Sequence, residues 1–96
     1  MPAITRVGVD VSAGHCFPPR PPSSAAQGTV FVNSILATVV GAGYPAHTCG
    51  TSTHDGNASS GSSTVFIEGK PVHRIGDDIS CGDISASGSR DVFAGG

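Results

Sequence analysis

Apolar positions along this chain fall in short runs of β-branched residues, each bounded by Gly, Ser or Pro, and no stretch shows helical periodicity. Thr29-Val30-Phe31-Val32 and Thr64-Val65-Phe66-Ile67 share a T-V-F-[VI] core at an offset of 35 residues. Asp91-Val92-Phe93-Ala94 is a shorter third copy. The second copy continues through Glu68-Gly69-Lys70-Pro71, a tight turn with Gly at the position that needs φ > 0. It then runs along Val72-His73-Arg74-Ile75 to a closing turn at Gly76-Asp77. The same offset puts Leu36 to Val40 and then Gly41-Ala42 in the first copy, and Arg6-Val7-Gly8 aligns with Arg74-Ile75-Gly76. The pattern predicts an all-β chain of three hairpin-and-turn units in a pseudo-threefold arrangement, one unit being split between the two ends. Such a split closes the ring of repeats without a free edge. His73 falls inside a strand, and its repeat partner Thr38 has no metal-binding chemistry, so it reads as a surface residue.

Two long stretches lie between the units. Residues 13–27 contain Phe17-Pro18-Pro19-Arg20-Pro21-Pro22, which is extended or polyproline-like and excluded from a sheet interior. Residues 41–63 are equally rich in turn formers and read as irregular. Loops this long in a compact domain call for something that organises them.

Composition agrees with this picture and sharpens it. Gly, Pro, Ser and Thr make up 41 of the 96 residues, with one Leu against 10 Val and 6 Ile, so helical bundles are excluded. At this length one domain, 1–96, is expected, with a core thin enough to need a staple. A net charge of −2 from five basic and seven acidic residues gives no basic face for nucleic acid. No run approaches the roughly 18 apolar residues of a membrane span. The start lacks an apolar signal core, and three Cys (Cys16, Cys49, Cys81) cannot all pair. The expectation is a reduced cytoplasmic chain without a disulfide framework. Asp10, Asp77, Asp78 and Asp83 read as turn acids bonding nearby backbone.

Candidate chemistry follows the three closing turns. His15 comes seven residues after Gly8, His47 six after Gly41, and Cys81 five after Gly76, so each unit offers a metal-capable side chain at the same place. Three equivalent loops on a pseudo-threefold body would bring these together about the axis, with His54 folding back as a fourth ligand. Three His and one Cys suit a tetrahedral, structural Zn²⁺, one per chain, better than iron. Such an ion would staple the thin core. Cys49 is an alternative to His54. A Cys/His nucleophile pair is the enzyme-class rival, but no helix N-terminus, oxyanion arrangement or G-x-S-x-G element accompanies either Cys.

Arg6-Val7-Gly8, the run Gly69 to Asp77, Cys81-Gly82-Asp83 and the run Gly88 to Gly95 together resemble the PAAR-repeat family, named for a Pro-Ala-Ala-Arg motif whose place is taken here by Pro71-Val72-His73-Arg74. Gly14-His15, Pro18-Pro19-Arg20 and His47-Thr48-Cys49 are similar to the compact single-domain members. The resemblance implies a small cone of short hairpins with zinc near its point, held by three His and one Cys, by position His15, His47, His54 and Cys81. It implies a non-enzymatic cap on a trimeric β-helical spike of a type VI secretion system or contractile phage tail. One monomer would serve each trimer, cytoplasmic before firing and briefly in contact with a target membrane. An adaptor that carries a separate toxic effector is the alternative role. Val30, Val32, Val65, Ile67 and Val92 are the candidates for the spike-binding base. Val9 interrupts the first Gly-Asp, and residues 33–42 lack Gly-Lys-Pro, Arg and Asp together, so the repeat does not dictate a hairpin turn there.

Overall fold

The computed structural model describes residues 1–96 and is entirely β and loop, in three antiparallel two-stranded sheets. β1 (Phe31–Val32) pairs with β2 (Ile35–Leu36), β3 (Gly43–Cys49) with β4 (Ser52–Asn57), and β5 (Phe66–Ile67) with β6 (Lys70–Pro71). The body is elongated, with principal extents of 38 × 23 × 22 Å.

The repeat offset is obeyed residue by residue. Phe31 pairs with Leu36 and Phe66 with Pro71, and in the split unit Phe93 pairs with Ala3. Both internal hairpins turn through two residues of positive φ, Asn33 (54°) with Ser34 (67°) and Glu68 (52°) with Gly69 (78°), which matches the right-handed strand twist. The first hairpin therefore survives the loss of Gly-Lys-Pro, because Asn tolerates the left-handed region better than most residues.

At the centre the three units interlock. Thr5 N–H donates to His73 C=O (3.1 Å), His73 N–H to Thr38 C=O (3.0 Å), and Thr38 N–H to Thr5 C=O (3.0 Å), a closed ring of three hydrogen bonds about a pseudo-threefold axis. The next level repeats the cycle, with Val7 bonded to Leu36, Val40 to Pro71 and Ile75 to Ala3. Around the axis Ile4, Val32, Ala37, Val39, Val72 and Ala94 form the main core, and Ala42, Tyr44, Ala58 and Ile79 form a second cluster. Each unit then leaves through a left-handed glycine, Gly8, Gly41 or Gly76.

Where a unit departs from the repeat, its hydrogen bonds are made another way. Ser62 and Ser89 each accept two backbone N–H bonds on Oγ and donate their own N–H to a core carbonyl. Gln27 occupies the equivalent place. Its Oε1 accepts from Thr29 and Val30, while Nε2 donates to Ala37 C=O at 2.7 Å. Arg6 with Asp10 and Arg74 with Asp77 form matching ion pairs in which the Asp also accepts the Arg backbone N–H. The insertion of Val9 only lengthens the first pair from i,i+3 to i,i+4 and leaves Val9 exposed. The first unit places Val39 and Ala42, both fully buried, where the others have Arg and Asp.

Four expectations are corrected. Residues 41–63 are not irregular throughout, since β3–β4 is the longest hairpin, reversed at Gly50-Thr51 with Gly50 at φ 60°. His73 is not on the surface. It is fully buried, because its strand passes through the axis, and its Nδ1–H donates to Ser60 C=O (2.9 Å) while Nε2 accepts from the Tyr44 hydroxyl (3.0 Å). Cys16 and Cys49 form a disulfide, with Cα atoms 5.6 Å apart. An odd count of Cys gave no reason against one pair, and Cys81 stays free. Closing a ring across a separation of 33 residues contributes about 3–4 kcal/mol in the chain-entropy account. Val32 turns inward and is buried, while Ile67 and Val92 pack half-buried on the same core, so of the proposed base residues only Val30 and Val65 are exposed. Phe31 and Phe66, the neighbours of Val32 and Ile67 in the two-residue strands, face outward instead.

Burial holds the His73 imidazole below its ordinary value of 6.5, outweighing the Ser60 hydrogen bond and nearby Asp77 that favour the charged form. The unfolded chain binds that proton more readily, so the contribution of neutral His73 is complete above about pH 6.5 and is lost as pH falls toward the folded value. His73→Thr, which installs the residue of the other two units, leaves Tyr44 and Ser60 without their partner. It is expected to cost roughly 1–3 kcal/mol at pH 7 and to flatten the fall in stability between pH 7 and 5. Chemical denaturation of both proteins across that range is the measurement.

Candidate metal centre

Four side chains from three loops converge. The donor atoms of His15, His47, His54 and Cys81 all lie within 4.8 Å of one another. His47 and His54 are register partners on β3 and β4, so the hairpin turns both imidazoles to the same face. His15 comes from the loop after Ser12, and Cys81 from the turn in which Gly82 N–H donates to Ile79 C=O. His54 Nε2 lies 2.7 Å from His47 Nε2 and 3.2 Å from His15 Nε2, and Cys81 Sγ lies 4.0 Å from His47 Nε2. Bonds of about 2.0 Å to nitrogen and 2.3 Å to sulfur would put tetrahedral donors roughly 3.3–3.6 Å apart, close to these separations.

The surroundings prepare the donors. His47 Nδ1 lies 2.8 Å from Pro18 C=O, which can only accept, so Nδ1 carries the proton and Nε2 presents its lone pair to the cluster. Desolvation first, then the neighbouring His47 and His15, hold His54 below its ordinary value, so at neutral pH it is an unprotonated donor. Phe17 stacks on the His54 ring with centroids 3.8 Å apart and lies 4.8 Å from the ring of His15. The buried Asp83 carboxylate accepts Gly14 N–H (2.9 and 3.1 Å) and Ile84 N–H (2.8 Å), which ties the His15 loop to the Cys81 turn. One thiol and three imidazoles, one of them with its tautomer fixed by Pro18 and two of them against the Phe17 ring, fit a four-coordinate metal ion of borderline softness. Four protein donors leave no open position, so the chemistry they support is crosslinking of three loops.

Spacing past the closing glycines pointed to His15, His47 and Cys81, with His54 or Cys49 as the fourth, and the fold brings His15, His47, His54 and Cys81 together. It separates the other candidates. Cys49 is occupied by Cys16, and His73 lies in the axial ring, bonded to Tyr44. The stacking role of Phe17 had no signal in the sequence, and Asp83, read as a turn acid, bonds neighbouring Ile84 as expected but also reaches Gly14 on the His15 loop. Both are adjacent or near-adjacent to ligands, but their roles depend on partners 37 and 69 residues away, His54 and Gly14.

Gly56 sets the position of the thiol. A Cβ there would stand 3.2 Å from both Cβ and Sγ of Cys81 and 3.0 Å from Cγ2 of Ile79. Gly56→Ala should push the sulfur off the cluster and weaken cobalt(II) binding by on the order of tenfold or more, read from the thiolate-to-cobalt absorption in a titration.

The matches to known families agree with this site. The family model described as the PAAR motif matches residues 14–87, a span that contains all four donors. No curated protein matches the sequence. The chain belongs to the PAAR-motif family.

Proposed function

We propose that this protein is the tip of a contractile injection machine, a zinc-stapled point that one chain places on the end of a trimeric β-helical spike. The observation that carries the reading is a ring of exposed aromatics. Phe31, Phe66 and Phe93 are 59%, 53% and 47% exposed and occupy equivalent positions in the three units. Equivalent positions about a pseudo-threefold axis share one level, so a single chain offers three like contacts to three identical subunits. Val30 and Val65 extend the apolar surface next to two of them. Large exposed apolar residues in such an array mark a binding surface. A spike trimer ends in strand edges that need covering, which a symmetric cap does with one molecule.

Zinc is the ion the donor set suits best, having borderline softness and no geometric preference of its own. With four protein ligands its role is structural, and the chain acts as a cap, not as an enzyme. Rigidity supplied by the crosslink suits a point driven through a membrane. Elemental analysis is expected to find one zinc per chain, with the melting temperature lowered by a chelator. His15→Ala, His47→Ala, His54→Ala and Cys81→Ala should each deplete the metal while His73→Ala retains it. Metal-free protein with unchanged melting would refute the staple.

The cap is tested by co-purification with a trimeric spike, where one chain per three spike subunits is expected and three per trimer would overturn it. Phe31→Ser, Phe66→Ser and Phe93→Ser should each weaken the complex by roughly 1–3 kcal/mol, the scale of a buried apolar side chain, with zinc content unchanged.

A further inference from the structure

The disulfide is close along the chain to two of the cluster's donors. Cys16 directly follows the donor His15, and Cys49 ends the strand that carries His47, two residues on. The pair therefore links two of the three loops that supply donors. The link also holds an unfavourable backbone. Cys16 has φ 79°, a region that side chains other than Asn, Asp and Gly seldom enter. Cys16 is exposed and Cys49 half-buried, so small reagents can reach the bond.

Resting on the reading of the four-residue cluster as a metal centre, we propose that Cys16–Cys49 is a redox latch on that centre. In the dithiol form no covalent bond joins the His15 loop to the hairpin, which it meets through the His47–Pro18 hydrogen bond and the ring contacts of His15 and Phe17 with His47 and His54. Asp83 and the Ala13–Ile84 hydrogen bond tie it to the Cys81 turn. Nothing covalent then keeps Cys16 in its left-handed conformation, and the loop is free to open and let the ion exchange. Reduction also frees two thiols in the chain segments that carry His15 and His47, a second route by which the donor set can change. Oxidation removes both routes at once. A disulfide has no thiolate to offer a metal, and His15 is covalently joined to the strand of His47.

The closing step is thiol–disulfide exchange with a low-molecular-weight disulfide such as oxidised glutathione. One Cys thiolate attacks it, forming a mixed disulfide and releasing one glutathione thiol. The second Cys then attacks the protein-bound sulfur and expels the other glutathione. The two protein thiols lose two electrons and two protons, and one glutathione disulfide becomes two thiols.

The experiment loads the full chain with zinc under a phosphine reductant and returns half of it to the oxidised form with oxidised glutathione. Zinc transfer to an excess of a chromophoric chelator is then followed. The latch predicts one free thiol in the metal-free, denatured oxidised protein against three in the reduced, and zinc release slower by about tenfold or more when oxidised. A Cys16→Ser/Cys49→Ser variant should release zinc at the fast rate under both conditions. Reduced wild type reads the same quantity, so the test does not depend on that variant folding. Equal release rates with one zinc bound in both forms would overturn the latch and leave the metal centre standing. Three free thiols after oxidation would also overturn it. Failure of both forms to hold zinc would overturn the metal reading and the latch with it.

Discussion

Three backbone hydrogen bonds, running from Thr5 to His73, from His73 to Thr38 and from Thr38 back to Thr5, hold the three units of this protein to one another. The hairpins they join have strands of two residues, far below what stands alone in water. By passing each donor on to the next unit the ring leaves none of the three with an unpaired edge at the axis. It also sets what the axis tolerates. Ala37, Thr38, Val39, Val72 and His73 are all fully buried, and most of them are small or β-branched. The taper of loops toward one cluster of donors follows, because three chains that leave a common ring by equivalent turns reach the same place after similar numbers of residues.

Within that frame the units are held to their hydrogen bonds more strictly than to their residue types. Gln27 uses its side-chain amide where Ser62 and Ser89 use a hydroxyl and their own backbone N–H, and in all three places the core carbonyl and the two turn N–H groups are satisfied. The Arg–Asp pair of two units becomes Val39 and Ala42 in the third. Removing both charged partners together costs little, whereas losing one would strand a charge. No buried side-chain polar atom is left without a partner. His73 shows the same rule from the other side. A larger polar group at an axial position is accepted because Tyr44 and Ser60 take both of its nitrogens.

A disulfide and the four-donor cluster both draw on the two long stretches between the repeats, residues 13–27 and 41–63. The Pro-rich segment, which belongs to no sheet, gives Pro18 C=O to His47 and Phe17 to the face of His54, so its stiffness holds the histidine tautomer and ring position.

Much of this was legible from residue order alone. The 35-residue offset determined the three units, their split across the ends and the equivalence of His15, His47 and Cys81, because a repeated unit must place equivalent residues equivalently. Apolar content in short β-branched runs determined the all-β class. The pairing of Cys16 with Cys49, the inward turn of Val32 and the burial of His73 were decided only by tertiary structure. Val32 lies in a strand of two residues, His73 at the axial ring beyond β6 and Cys16 at a left-handed loop position, and each outcome depends on which side faces inward. Over so short an element no periodicity exists to signal the choice, and packing against the other two units makes it.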